Sequence, residues 1–243
     1  MKIISLKNKW LDLLKFDKYK LIREELLKLS SANNHNNKLS ENKTDSNHKY
    51  YDYGCGYFYQ SSDQINLTGL RASRKRIQQY GVENELKDST VLDIGTNTGF
   101  FLLDLKNSFK EADGIEYNPI LIEIANRLKL FLKIENINFI NDDFLEHDFK
   151  FKEYDLILSL ANHSTFDKGI QDTNSYFDKC YKLLKKNGKI LIEGHHPNYE
   201  RVEEFNEIIK KLIKKFDYKK ENEGIIYANN FYDNKRKFFL LKK

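Results

Sequence analysis

One stretch fixes what this chain can fold into: Thr90-Val91-Leu92-Asp93-Ile94-Gly95-Thr96-Asn97-Thr98-Gly99-Phe100-Phe101. Val91, Leu92 and Ile94 suit an inner parallel strand buried on both faces. Gly95 lets the backbone leave that strand sharply, and Gly99 lets a ligand or helix come close. Thr96, Asn97 and Thr98 fall at a helix start. There the unpaired N–H groups and the positive dipole end attract polar or anionic groups. Phe100 then opens an apolar helical run. A strand–turn–helix without any ligand is the plain alternative.

Two nucleotide-binding patterns compete for this turn. The dinucleotide fingerprint G-x-G-x-x-G fails, because Asn97 stands where its second glycine belongs and no third glycine follows at the right offset. The D-x-G-x-x-x-G spacing of Asp93, Gly95 and Gly99 instead resembles motif I of class I S-adenosylmethionine-dependent methyltransferases. That motif is usually D/E-x-G-x-G-x-G, so the chain departs from it at Asn97. Glu116 ends a second strand about 20 residues past the turn, where a carboxylate can accept both ribose hydroxyls. This resembles the family's motif II. A surface Glu at a strand end is the other reading.

The resemblance extends along the chain. After Ile137-Asn138-Phe139-Ile140-Asn141 come Asp142, Asp143 and Phe144, where the family contacts the adenine. Asp143-Phe144 fits best, with the acid on the exocyclic amine and the ring on the purine, and Asp142 as a rival. Tyr154–Leu160 reads as a central strand carrying Ser159, and Ala161-Asn162-His163-Ser164 resembles motif IV. The helix Ile170–Lys186, stopped by Asn187-Gly188, leads into the strand Lys189–Glu193. Two final strands, within 216–227 and 235–241, would form the antiparallel pair that ends the family's sheet. The resemblance covers roughly residues 89–243. It implies an α/β, Rossmann-like, seven-stranded, mostly parallel sheet with helices on both faces, plus an N-terminal helical extension.

Ahead of that domain, residues 7–29 carry Trp10, Leu13, Leu14, Leu21, Ile22, Leu26 and Leu27 at helical spacing. The organisation expected is a helical segment at 1–30, a polar Asn-rich linker at 31–49, and an aromatic and basic cap at 50–88. Within the cap, Tyr50 to Gln60 is dense in aromatics, Tyr59 among them, suited to the core or to a lid over a flat ligand. Leu70 to Ile77 reads as the start of a basic helix. Arg71 is singled out because its fork can take the carboxylate of a methionine moiety. Arg74, Lys75 and Arg76 read as a solvated face.

Candidate bases are His163, His195 and His196, since histidine titrates near neutral pH. A metal held by Glu193, His195 and His163 is a weaker alternative, because adjacent strand residues point opposite ways. The cofactor implied is S-adenosyl-L-methionine, held by Tyr59, Arg71, Asp93, Gly95, Asn97, Gly99, Glu116, Asp142, Asp143, Phe144 and Ser159. The acceptor expected is an oxygen or nitrogen atom of a small molecule or glycan sugar. An RNA (tRNA) methyltransferase and a non-catalytic cofactor-binding protein remain open.

Composition bounds the rest. The net charge of +5, from 41 basic against 36 acidic residues, goes with an abundance of Lys, Asn and Ile that the base composition of a genome can produce, so it is not read as nucleic-acid affinity. No apolar run approaches the roughly 18 residues of a membrane span. The N-terminus lacks a secretory core, and Cys55 and Cys180 have no metal or redox spacing, so a cytoplasmic protein is expected. Oligomeric state has no signal in the sequence.

Overall fold

The computed structural model describes residues 19–30, 58–162, 170–194, 202–227 and 235–243. Its centre is a seven-stranded sheet. Five parallel strands run β3 (Thr90–Ile94), β4 (Glu111–Glu116), β5 (Ile137–Asn141), β6 (Tyr154–Leu160) and β7 (Leu184–Glu193). The antiparallel strands β8 (Lys219–Tyr227) and β9 (Lys235–Lys242) complete it. The spatial order is β5-β4-β3-β6-β7-β9-β8. This is the sheet expected from the sequence, with the last strand in sequence lying inside it.

Alternation along each strand splits the core into two layers. Val91, Leu156, Leu158, Leu191 and Leu240 face one layer. It is covered by α2 (Ser73–Tyr80), the short α3 (Glu83–Leu86), α4 (Phe100–Asp104) and α5 (Pro119–Phe131). Leu92, Ile157, Ile190, Ile192 and Leu241 face the other, under α6 (Ile170–Leu183) and α7 (Val202–Phe216). Asn118 starts α5, its side chain accepting from Ile120 N at 3.0 Å with Pro119 in the first turn.

The helix α1 at 19–30 packs on the same domain. Ile22 and Leu26 are buried in the first layer, Tyr19 meets Phe131 edge-on, and Arg23 donates to Ile65 O at 2.8 Å. Residues 1–18 and 31–57, which hold the expected linker and most of the aromatic segment, lie outside the described residues.

Three local expectations change. The helix α6 ends at Leu183 rather than Lys186, because Leu184 is fully buried and already pairs with Tyr154. Asn187, at φ 66°, and Gly188 then fall in an irregularity within β7, between the Leu184 and Lys189 pairings. Arg71 does not begin a helix. It ends a short strand, β2 (Gly69–Arg71), paired in parallel with β1 (Phe58–Gln60). Only Arg74 and Lys75 are solvated: Arg76 is 1% exposed.

No helix among the described residues is long and apolar enough to cross a membrane.

Candidate functional site

The strands β3, β4, β5, β6 and β7 deliver their carboxyl ends to one edge of the sheet, where open α/β folds bind ligands. At its centre is the turn after β3. Gly95 N and Thr96 N both donate to Ile115 O, at 2.9 and 3.1 Å, which holds the turn against β4. Gly95, at φ 69°, is the exposed residue of this turn. Gly99 is required by contact as well as by φ, since a Cβ there would lie 2.5 Å from the Phe139 ring.

Asn97 takes φ 56°. That left-handed conformation is the one a glycine supplies without strain, and Asn is among the few other residues that tolerate it. The departure from the usual motif therefore keeps its backbone path. Asn97 N donates to Glu116 Oε2 at 3.2 Å, and Asn118 N to Glu116 Oε1 at 3.1 Å. The Glu116 carboxylate is thus fixed against the turn, beside the exposed Gly95. Burial pushes its pKa up, against the bonds from Asn118 and Asn97. Asp93 is buried behind the turn and accepts from Thr96 Oγ1 at 2.8 Å. Burial raises it to about 7, with Thr96 opposing.

The adenine-edge candidates separate. Asp142 is exposed and bonded to His147 Nδ1 at 2.8 Å, and that bond lowers its pKa. Asp143 is exposed and accepts from Leu145 N at 2.7 Å. Phe144 is 4% exposed and packs its ring against Phe149 and Tyr176. It is a core residue under the loop, so the expected stacking face is spent on packing. Ser159 is likewise buried, donating to Asn162 Oδ1 at 2.8 Å, with the Tyr176 hydroxyl 2.8 Å from its Oγ. Asn162 Nδ2 in turn donates to Ile94 O, tying the tips of β3 and β6 together.

A second group lies at the end of β7. Glu193 is fully buried. Arg76 Nη2 reaches its Oε2 at 2.9 Å, Arg236 Nη1 reaches its Oε1 at 2.6 Å, and the Tyr80 hydroxyl also donates to Oε2. Burial alone would raise the carboxyl, but Arg76 and Arg236 hold it well below the usual range. Both oxygens face guanidiniums, whose positive charge works against a cation at Glu193. No cluster of three metal-ligating side chains occurs among the described residues. His163, His195 and His196 lie outside them.

Tyr59 and Arg71 border this group. The Tyr59 hydroxyl is 3.2 Å from Arg236 Nη1, and the Arg71 guanidinium lies 5.8 Å from the Tyr59 ring centre. Burial opposes ionisation of that phenol, yet Arg236 and Arg71 bring its pKa below the ordinary value. Arg71 is 2% exposed, and its Nε and Nη1 have no hydrogen-bond partner.

Sequence reasoning missed Gln60. Its Nε2 donates to Thr96 O and its Oε1 accepts from Phe101 N, both at 3.2 Å, so β1 caps the helix after the turn. It also missed Arg76, Tyr80, Asn162 and Arg236.

Residues 85–235 match the family described as a methyltransferase domain. The chain belongs to that family. This methyltransferase-domain chain is 28% identical over 193 residues to the phosphoethanolamine N-methyltransferase of Plasmodium falciparum, covering 77% of this chain and 67% of that protein. It is 23% identical over 129 residues to EEF1A lysine methyltransferase 2 of Danio rerio, covering 51% of this chain. It spans only 55% of that relative's length. Among solved structures, the N-methyltransferase NodS of Bradyrhizobium japonicum with bound S-adenosyl-L-homocysteine superposes with a TM-score of 0.57 at 15% identity. The alignment covers 70% of this chain and 86% of that one, and shows the shared class I fold of S-adenosylmethionine-dependent methyltransferases.

Proposed function

We propose that this chain transfers a methyl group from S-adenosylmethionine to an oxygen or nitrogen atom of a small molecule. The observation that carries the cofactor reading is the Glu116 carboxylate, fixed by Asn97 N and Asn118 N at the mouth of the glycine turn. A carboxylate with both oxygens oriented can accept from vicinal ribose hydroxyls. The unpartnered Arg71 nitrogens fit the methionine carboxylate. The cofactor supplies an already activated methyl group. The protein then has to orient the acceptor and keep water away. A base drawn from His163, His195 or His196 serves only an acceptor that must lose a proton.

The small-molecule reading is supported by coverage. The phosphoethanolamine N-methyltransferase aligns over 77% of this chain, against 51% for the lysine methyltransferase.

The test is calorimetric titration of the full chain with S-adenosylhomocysteine, with NAD as control. Micromolar binding of the first alone is expected, and Glu116→Ala should weaken it. Binding of NAD instead, or of neither, overturns the cofactor reading.

A further inference from the structure

We propose that the arginines at the end of β7 form an oxyanion site, and that the acceptor carries a carboxylate or phosphate group that sits there. This rests on the methyl-transfer reading above and deepens it.

The argument starts from charge. Three buried arginines, Arg71, Arg76 and Arg236, surround one buried carboxylate, Glu193. Among the described residues, and with the tyrosines neutral, three positive charges face one negative, an excess of two. Among the described residues, Asp93 also lies within the field of Arg76, and it is bonded to Thr96 behind the turn. Ionised, it would still leave an excess of one. A buried charge without a partner is costly, so the arrangement calls for an anion.

Hydrogen bonding points the same way. Arg76 spends its donors on Glu193 and the Tyr80 hydroxyl. Arg236 spends only Nη1, on Glu193 and the Tyr59 hydroxyl, and Arg71 is less engaged still. Nε and Nη1 of Arg71 and Nε of Arg236 are buried without a partner. Both side chains border Tyr59, Arg71 with its guanidinium 5.8 Å from the ring centre and Arg236 through Nη1 on the hydroxyl. Guanidinium forks are matched in shape to carboxylate and phosphate.

The cofactor cannot supply the missing charge. S-adenosylmethionine offers one carboxylate, but it also brings an ammonium and a sulfonium. Even with its carboxylate on Arg71, its binding adds positive charge. The neutralising anion has to arrive with the acceptor, and the orphaned Arg236 Nε is its remaining donor.

The test uses the full chain saturated with S-adenosylhomocysteine, titrated with inorganic phosphate and, separately, with malonate. Chloride at matched ionic strength is the control. Saturable binding of phosphate or malonate is expected, weakened about tenfold or more in Arg236→Gln by loss of a charge-assisted fork. Which anion binds tells phosphate from carboxylate. Thermal melting and the homocysteine titration report whether Arg236→Gln still folds. If it does not, Arg236→Lys keeps the charge, loses the fork, and should still weaken the anion.

Three results overturn the inference while leaving the cofactor reading intact. Neither anion binds the complex, or chloride binds as well, or the variants bind like the parent. Release of S-adenosylhomocysteine from the complex as phosphate or malonate binds also overturns it, assigning the site to the cofactor's own carboxylate. Failure of S-adenosylhomocysteine itself to bind sinks the methyl-transfer reading, and the acceptor assignment falls with it.

Discussion

Arg76 and Glu193, 117 positions apart in the sequence, form an ion pair at 2.9 Å with both side chains removed from water. The pair locks α2 onto the end of β7. Removing Arg76 takes one of two guanidiniums from the buried Glu193, leaves it with Arg236 and the Tyr80 hydroxyl, and empties the space the side chain filled. Arg76→Leu should cost about 3–5 kcal/mol, read as a lower urea midpoint at unchanged slope. Arg74→Leu, two positions away on the exposed face, should stay within about 0.5 kcal/mol. Equal midpoints for the two variants would contradict the burial of the pair.

Glu193 also sets an acid limit. Its folded pKa lies below its unfolded value because Arg76 and Arg236 oppose the effect of burial. The stability it contributes is therefore present above about pH 4.3, its unfolded value, and is lost as pH falls through the lower folded value. In acid titrations monitored by circular dichroism, Glu193→Gln should remove this acid-side loss.

Asp93 acts in the opposite sense. Burial raises it from 3.8 to about 7. The stability it contributes is present below its unfolded pKa and declines as pH rises towards about 7. A shift of that size corresponds to ~4 kcal/mol across the window. Asp93→Asn keeps an acceptor for Thr96 and cannot titrate. Its unfolding free energy should be flatter than the parent's between about pH 4 and 7, measured by denaturant titration at each pH.

Glu116 is expected to matter for binding. Glu116→Ala should weaken S-adenosylhomocysteine by about 1–3 kcal/mol through loss of a charge-assisted pair. An unchanged calorimetric affinity would remove Glu116 from the cofactor site.

Asn97 tests the altered turn. At φ 56°, Asn97→Gly should fold at least as well as the parent. Asn97→Ala places a Cβ in the same conformation without Asn's local hydrogen bonding, at a cost of about 1–2 kcal/mol. Thermal melts of the two variants should diverge in that order.

Much of the sheet was legible because each strand states its own burial. Val91, Leu92 and Ile94, or Ile190, Leu191 and Ile192, leave no solvent face, and alternation assigns them to the two layers. The turn was legible because Asp93, Gly95 and Gly99 are local. The charged group at β7 was not. In Arg74-Lys75-Arg76, three similar residues meet different fates, decided by helix phase: Ser73, Arg76, Ile77 and Tyr80 share the buried stripe. That spacing was a usable signal, overridden by the habit of solvating arginines. The partners Glu193 and Arg236 come from distant strands, which no local pattern connects. Phe144 and Ser159 show the converse, since position in a motif did not reveal that one packs its ring on Tyr176 and the other accepts the Tyr176 hydroxyl.

The place of β9 has a bearing on how the molecule is made. It lies between β7 and β8 and brings Arg236 to Glu193, 43 positions upstream. On the ribosome, β7 is complete well before β9 has been synthesised. In that interval Ile190, Leu191 and Ile192 lie on an open edge, ready to pair with another chain. Glu193 waits over the same interval with one arginine fewer. The strand that closes the edge is also the one that balances the charge, so a single late event ends both exposures.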